Sequence, residues 1–172
     1  MVIRDVTKKD LDDISSVVSL AFHEEQNLRD GEIIQATLVK ELIKDRDDIV
    51  NLVAEDSVIV GHVLVSPVTL EPDPGLSCGQ VSPLSVLPDF QSRGIGSSLM
   101  RTVIGKSKEK GLDALFLLGD PNYYQLFGFL ASKVRSSYGP SDYFLELELK
   151  AGCLESIDVF VRLAPAFNRL EL

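Results

Sequence analysis

Gln80-Val81-Ser82-Pro83-Leu84-Ser85-Val86-Leu87-Pro88-Asp89-Phe90-Gln91-Ser92-Arg93-Gly94-Ile95-Gly96-Ser97-Ser98-Leu99-Met100 reads as a strand, a sharp turn and a glycine-rich opening into a helix. Val81, Leu84, Val86 and Leu87 make an apolar strand and Pro88-Asp89 stops it. From Gly96 onward Leu99, Met100, Val103 and Ile104 recur at helical spacing. The first backbone N–H groups of a helix have no intrahelical partner and sit at the positive end of its dipole, so this place suits a phosphate or pyrophosphate. Gly94 and Gly96 let the main chain approach such a ligand with no Cβ in the way.

Two familiar phosphate loops fail on the residues. A P-loop needs Lys and Ser or Thr after its last glycine, and Gly96 is followed by Ser97-Ser98. A dinucleotide fingerprint needs a small residue three places after the second glycine, where this chain has Leu99. The stretch instead resembles the acetyl-CoA signature of the GNAT N-acetyltransferase superfamily, Gln/Arg-x-x-Gly-x-Gly/Ala after a strand. Gln91, Gly94 and Gly96 match it, and Arg93 before the first glycine is typical of it.

At 172 residues the chain fits one domain, 1–172, with a full core. Cys78 and Cys153 form no C-x-x-C and have no histidine cluster near them, so neither a metal site nor a disulfide framework is indicated. The polar start Met1-Val2-Ile3-Arg4-Asp5 is no signal peptide. The longest apolar run, Val58 to Val65, is broken by Gly61-His62 and too short to span a bilayer, so a cytoplasmic protein off the membrane is expected. Seventeen basic against twenty-six acidic residues give a formal charge of -9, and no basic run is interleaved with aromatics. Nucleic acid is therefore an unsuited partner, whereas a cationic amine is drawn to such a field.

Along the chain, Val2 to Val6 is a first strand, and Thr7 with Asp10 forms a relative of the capping box. Leu11, Ile14, Val17, Val18, Ala21 and Phe22 mark an amphipathic helix. A short acidic linker, His23-Glu24-Glu25-Gln26-Asn27, leads to a second helix through Ile34, Leu38, Val39, Leu42 and Ile43. Ile49–Ala54 and Val58–Val68 read as a hairpin. After the organising helix, which Gly111 stops, Ala114–Leu118 is a short apolar strand of a sheet covered on both faces. Tyr123 to Phe127 allows one or two helical turns. Leu145, Leu147 and Leu149 alternate with glutamates as a strand with one buried and one wet face, and an apolar run from Val159 to Leu163 precedes Pro165.

That order is similar to the GNAT fold, a mixed α/β architecture with a central, mostly antiparallel twisted sheet and helices on both faces. Tyr124-Gln125-Leu126-Phe127-Gly128-Phe129 is similar to the family's Tyr-x-x-x-Gly-Phe. Gly119 to Tyr124 and the ending Val161 to Phe167 look like its small bacterial YhbS-like branch. The resemblance implies transfer of an acetyl group from acetyl-CoA to a primary amine by direct attack. The amides of Arg93, Gly94, Ile95, Gly96 and Ser97 would cradle the pyrophosphate with Gln91 adding a side-chain contact. The backbone of Leu84, Ser85 and Val86 would pair with the pantetheine arm, the Val86 N–H facing the thioester carbonyl. Relatives carry Asn at the end of the fifth strand to hold that arm; here the nearest is Asn122, one or two positions late.

Tyr124 is the candidate acid for the leaving thiolate, since a phenol with pKa ~10 is protonated at neutral pH. Tyr123 is expected to be a core tyrosine with its hydroxyl at the surface. Glu24, Glu25 and His62 are candidate bases, with a solvated face or a structural histidine as the competing reading of each. No Ser-His-Asp or Cys-His pattern makes Ser85 or Cys78 a nucleophile. The alternative function is a catalytically silent acyl-CoA-binding sensor or interaction protein, and a homodimer is compatible with either reading. The acceptor is set by loops at Glu24–Gly31, Thr69–Ser77 and Arg135–Asp142.

Overall fold

The computed structural model describes residues 1–25 and 28–172. Strand β1 (Val2–Asp5) pairs antiparallel with β4 (Val50–Asp56), which forms a hairpin with β5 (Val58–Glu71) across a left-handed Ser57 at φ 62°. Then follow β6 (Cys78–Val86), α3 (Ile95–Glu109), β7 (Ala114–Leu118), α4 (Pro121–Tyr124), β8 (Leu130–Ala131), β9 (Arg135–Ser136), β10 (Phe144–Glu148), β11 (Phe160–Arg162) and α5 (Pro165–Arg169). The spatial order is β1-β4-β5-β6-β7-β10-β8, with β11 on the end of β5 and β9 on β11. Among the described residues only β6/β7 and β9/β11 run parallel, so the sheet is mixed and mostly antiparallel, as expected.

Side-chain spacing decides which helix covers which face. α1 (Leu11–Ala21) buries Ile14, Val17 and Val18, and α2 (Ile34–Lys44) buries Leu38, Val39 and Leu42. They meet Val53 and Leu64 of the sheet and Phe167 of α5 in one core layer. On the opposite face Leu99, Met100 and Val103 of α3 pack on Val63, Val65 and Leu115. Each such fully buried side chain contributes about 1.5–3 kcal/mol relative to exposure, so the two layers fix α3 and the first two helices on opposite sides of the strand that links their sites. Among the described residues no helix is long and apolar enough to cross a membrane.

Two expectations need correction. The stretch between α1 and α2 is not a plain linker: His23–Glu25 makes a helical turn, and β2 (Leu28–Arg29) pairs with β3 (Glu32–Ile33) around the left-handed Asp30 and Gly31. Gln26 and Asn27 lie outside the described residues. β10 has no fully wet face, because Phe144 and Leu145 are both buried and Glu146 is partly so. That burial pushes the Glu146 carboxyl above its usual range. Beyond β11, Pro165 opens α5, the first helical position being the one where a missing N–H costs nothing.

Thr7 and Asp10 do form the expected start of α1. The Asp10 carboxylate accepts from the Thr7 N–H at 2.7 Å and hydroxyl at 3.0 Å, and Arg4 donates to both its oxygens at 2.8 and 2.9 Å.

Candidate active site

The parallel pairing of β6 with β7 covers only Cys78↔Ala114, Gly79↔Leu115 and Gln80↔Phe116. β6 runs on to Val86, paired on its other side to β5 alone, so beyond Gln80 the two strands part. A cleft of about 950 Å³ opens there, lined by Gln80, Val81 and Leu84 on one strand and Leu118 and Gly119 on the other. Phe22, Leu38 and Phe167 reach it from the α1-α2-α5 layer, and Tyr124 reaches it from the α3 layer. It lies beyond the carboxyl ends of a parallel pair joined through a helix, the place where open α/β sheets take ligands.

The strand edge along this cleft is polarised by alternation. The Leu87 N–H donates to the Val60 carbonyl at 2.8 Å, so Leu87 and Ser85 turn their main-chain groups toward β5, while Leu84 and Val86 turn theirs away from it. The Gln91 amide donates to the Val86 carbonyl at 3.0 Å on that outward side. Gln91 thus ties the loop to its own strand through one N–H of an exposed amide. Ser85 is 1% exposed with no partner for its hydroxyl among the described residues, and its main-chain groups face β5, so Leu84 and Val86 are the residues of this stretch whose main-chain groups face outward.

The glycine loop uses its two glycines for different reasons. Gly94 is left-handed, φ 83°, with open space where a Cβ would stand: it is needed for backbone conformation. Gly96 is needed for room, since a Cβ there would meet the Tyr123 hydroxyl at 3.0 Å. The first α3 bond in the chain runs from the Ser98 N–H to the Gly94 carbonyl at 3.0 Å, so the N–H groups of Ile95, Gly96 and Ser97 precede the helical ladder. Ile95 is buried and roots the helix in the core. Arg93 is exposed, its guanidinium 5.2 Å over the Phe90 ring.

Tyr124 is set by the turn before it. The Asp120 carboxylate accepts from the Asn122 N–H at 2.9 Å and Pro121 occupies the first helical position, which starts α4 immediately after β7. The Tyr124 ring then lies over Gly119, where an added Cβ would stand 2.4 Å from its Cε2 atom, and meets Phe129 edge-on at 6.0 Å. Burial, with a smaller contribution from Tyr123, pushes the phenol up to about 12, so it stays a proton donor through the neutral range. Asn122 is exposed with both main-chain groups engaged in the turn, leaving only its side chain open to a ligand. Tyr123 departs from expectation: its hydroxyl points to the glycine loop and not to open surface.

The candidate bases separate. Glu25 lines the cleft and its carboxylate accepts from the Gln35 amide at 3.1 Å, while Glu24 is exposed and does not line it. His62 is fully buried within the sheet. One ring nitrogen lies 2.7 Å from the Asn51 side-chain oxygen, and burial pushes its pKa down to about 3, so it is a neutral structural group away from the cleft. The Cys78 thiol is buried and pushed up to about 12, which makes it inert. Among the described residues no group of three or more His, Cys, Asp or Glu side chains converges as a metal site would. Sequence reasoning passed over Gly119, Gln35 and Gln80. For Gln80 the signal was present, a long polar side chain in a strand otherwise fit for burial.

A family model described as the acetyltransferase (GNAT) family matches residues 12–129, the span from α1 through the glycine loop to Phe129. The chain is 30% identical over 148 residues to YjhQ of Escherichia coli strain K12, an uncharacterised N-acetyltransferase, covering 84% of this chain and 77% of that one. A GNAT family acetyltransferase from Brucella melitensis, solved in complex with acetyl-CoA, superposes with a TM-score of 0.80 at 28% identity over 96% of this chain and 97% of its own. The GNAT family N-acetyltransferase YhbS from Escherichia coli, solved in complex with CoA, superposes at 0.87 with 25% identity over 98% and 92%. With the family model matching more than half of its length, this chain belongs to the acetyltransferase (GNAT) family.

Proposed function

We propose that the protein transfers an acetyl group from acetyl-CoA to a primary amine by direct attack on the thioester. The observation that carries this reading is the splay of β6 from β7, which opens the outward edge of β6 on the cleft that Tyr123 and Tyr124 line, with the start of α3 beside it where the Tyr123 hydroxyl meets Gly96. Acetyl-CoA supplies the activated acyl group. The N–H groups of Arg93 to Ser97 fit its pyrophosphate, with the dipole of α3 behind them. The outward groups of Leu84 and Val86 fit a pantetheine amide as a further strand would, and the exposed Asn122 side chain is free to add a contact. Relatives solved with acetyl-CoA and with CoA support the same ligand here.

In the transfer the amine nitrogen attacks the carbonyl carbon and the C–N bond forms. The Val86 N–H faces the oxygen that becomes anionic. The C–S bond then breaks, and the Tyr124 hydroxyl gives its proton to the departing thiolate. The amine enters as its free base, and the proton it sheds after attack passes to solvent on the Glu25 side of the cleft, from which the Tyr124 oxygen takes one back before the next turnover. Thiol release from acetyl-CoA, measured against a broad panel of amines, tests the reading. Amine-dependent release supports it. Tight acetyl-CoA binding with no release against any amine instead gives a silent sensor.

A further inference from the structure

We infer that the acceptor is a primary amine carried on an apolar body, its N–H groups read by the side-chain amides of Gln80 and Gln35 and its body seated against Phe22, Leu38 and Phe167; this rests on the acyl-transfer reading above. Both amides line the cleft, and among the described residues both have a side-chain oxygen with no hydrogen-bond donor. For Gln35 the assignment is chemical. Its NH₂ faces the Glu25 carboxylate at 3.1 Å, a group that only accepts, so the amide oxygen is the end left over. Gln80 is 1% exposed and sits at the last β6 residue paired with β7, the apex from which the cleft opens. Buried amide oxygens without donors are costly, and a ligand that brings several N–H groups removes that cost.

The remaining walls limit what carries the nitrogen. Phe22, Leu38 and Phe167 offer no polar side-chain atom, and Leu38 and Phe167 are part of the rigid layer under α1 and α2. Glu25, held against Gln35, and Asp120 are carboxylates of the lining. They favour a cation at the mouth and disfavour an acceptor bearing its own carboxylate nearby. An arylalkyl or branched alkyl amine satisfies all three constraints. Short hydroxylated amines satisfy the amides and leave the apolar wall wet.

The test reads binding, so that it stands apart from turnover. The CoA-saturated protein is titrated with 2-phenylethylamine and with ethanolamine, and the added thermal shift is converted to an apparent Kd. The expected result is a Kd roughly ten- to a hundredfold lower for 2-phenylethylamine, from burial of its ring. Gln80→Leu and Gln35→Leu should each raise it roughly tenfold or more, leaving the Kd for CoA unchanged. Equal Kd values for the two amines, or no shift with either, overturn the inference. So does a response untouched in both variants. Ser66, the register partner of Gln80 on β5, has a hydroxyl without a partner; were it to satisfy Gln80 instead, Gln80→Leu would lower stability and leave the amine response intact. If Gln80→Leu does not fold, the half-buried Gln35→Leu decides. Failure of the acyl-transfer reading shows separately, as absence of thiol release in the unaltered protein.

Discussion

The Tyr123 hydroxyl stands 3.0 Å from the point where a Cβ on Gly96 would sit, linking the turn after β7 to the start of α3 across the mouth of the cleft. Tyr123 and Gly96 come from the two elements that follow the splayed strands, so any ligand lying along the glycine loop passes this contact.

Substitution at Gly96 is therefore expected to act on ligand binding more than on the fold. Gly96→Val places two methyl groups where the Tyr123 hydroxyl and the first helical N–H groups meet, and Val86 Cγ2 lies only 3.8 Å from the Cβ position. Acetyl-CoA at about 100 times its Kd should stabilise the unaltered protein by about 2.7 kcal/mol, and Gly96→Val should abolish that shift while the free protein still melts cooperatively. Gly96→Ala combined with Tyr123→Phe, which removes the crowding oxygen, should restore part of it. A full shift in Gly96→Val would sink the assignment of this loop to the pyrophosphate.

Gly119 is expected to matter through Tyr124. An alanine there puts Cβ 2.4 Å from the Tyr124 ring, too close for both to keep their places. Overpacking of this kind costs about 1–3 kcal/mol, and a displaced proton donor costs more in rate than in stability, on the order of 10² for about 1 Å. Gly119→Ala should thus lower kcat by roughly that factor with little change in acetyl-CoA affinity. A rate loss no greater than that of a surface substitution would show that the ring is not held in a position that matters.

Which parts of this site were legible in the chain follows the range of the forces involved. The strand, turn and helix of Gln80 to Met100 are short-range patterns of apolar spacing and glycine, and they stand in the structure as read. The turns expected over Tyr123 to Phe127 start two residues earlier, at Pro121, although Asp120-Pro121 is a local start signal. The ribbon of β2 and β3 and the strands β8 and β9 are two residues each, too short to carry a period of two. Gln91 matched a motif, and one N–H of its amide goes to the Val86 carbonyl, a partner that only the folded turn brings near. Tyr123 and Gly119 acquire their roles from contacts between separate elements, and no spacing in the chain encodes them.

The Arg4–Asp10 pair gives the fold a defined acid sensitivity. Hydrogen bonds from the Arg4 guanidinium hold the Asp10 carboxyl well below the usual range, against burial, with the Thr7 N–H and hydroxyl assisting. A depressed folded-state pKa means stabilisation that is complete above the unfolded value, ~3.9, and lost as pH falls through the folded one. Asp10→Asn should cost roughly 1–2 kcal/mol at pH 7, read as a lower urea midpoint, and the gap to the unaltered protein should narrow below about pH 4. A gap independent of pH would mean that packing and not charge carries the effect.

Tyr124→Phe is the sharpest test of the proposed chemistry, because it removes one oxygen and leaves the ring on Gly119 and Phe129. If the hydroxyl protonates the departing thiolate, kcat should fall by roughly 10² to 10⁴ while the Kd for acetyl-CoA stays nearly constant. If it instead holds the pantetheine arm, affinity and kcat fall together. A silent variant would mean that the thiolate leaves unprotonated. The pH profile provides a second reading. Among the described residues no histidine lines the cleft, and the Tyr124 phenol is pushed up to about 12, so Tyr124 should not deprotonate to lower the rate between pH 6 and about 10. With the amine entering as free base, kcat/KM should climb through that range about tenfold per pH unit until the amine's own pKa is passed. A flat profile would transfer the base role to the Glu25 carboxylate, and Glu25→Gln would then convert it to the climbing one. Tyr123→Phe no longer serves as a neutral control, given its hydroxyl at Gly96; Tyr143→Phe, an exposed tyrosine at the outer edge of the cleft, takes that place. A fall in Tyr124→Phe matched by an equal fall in Tyr143→Phe would remove the case for a specific proton donor.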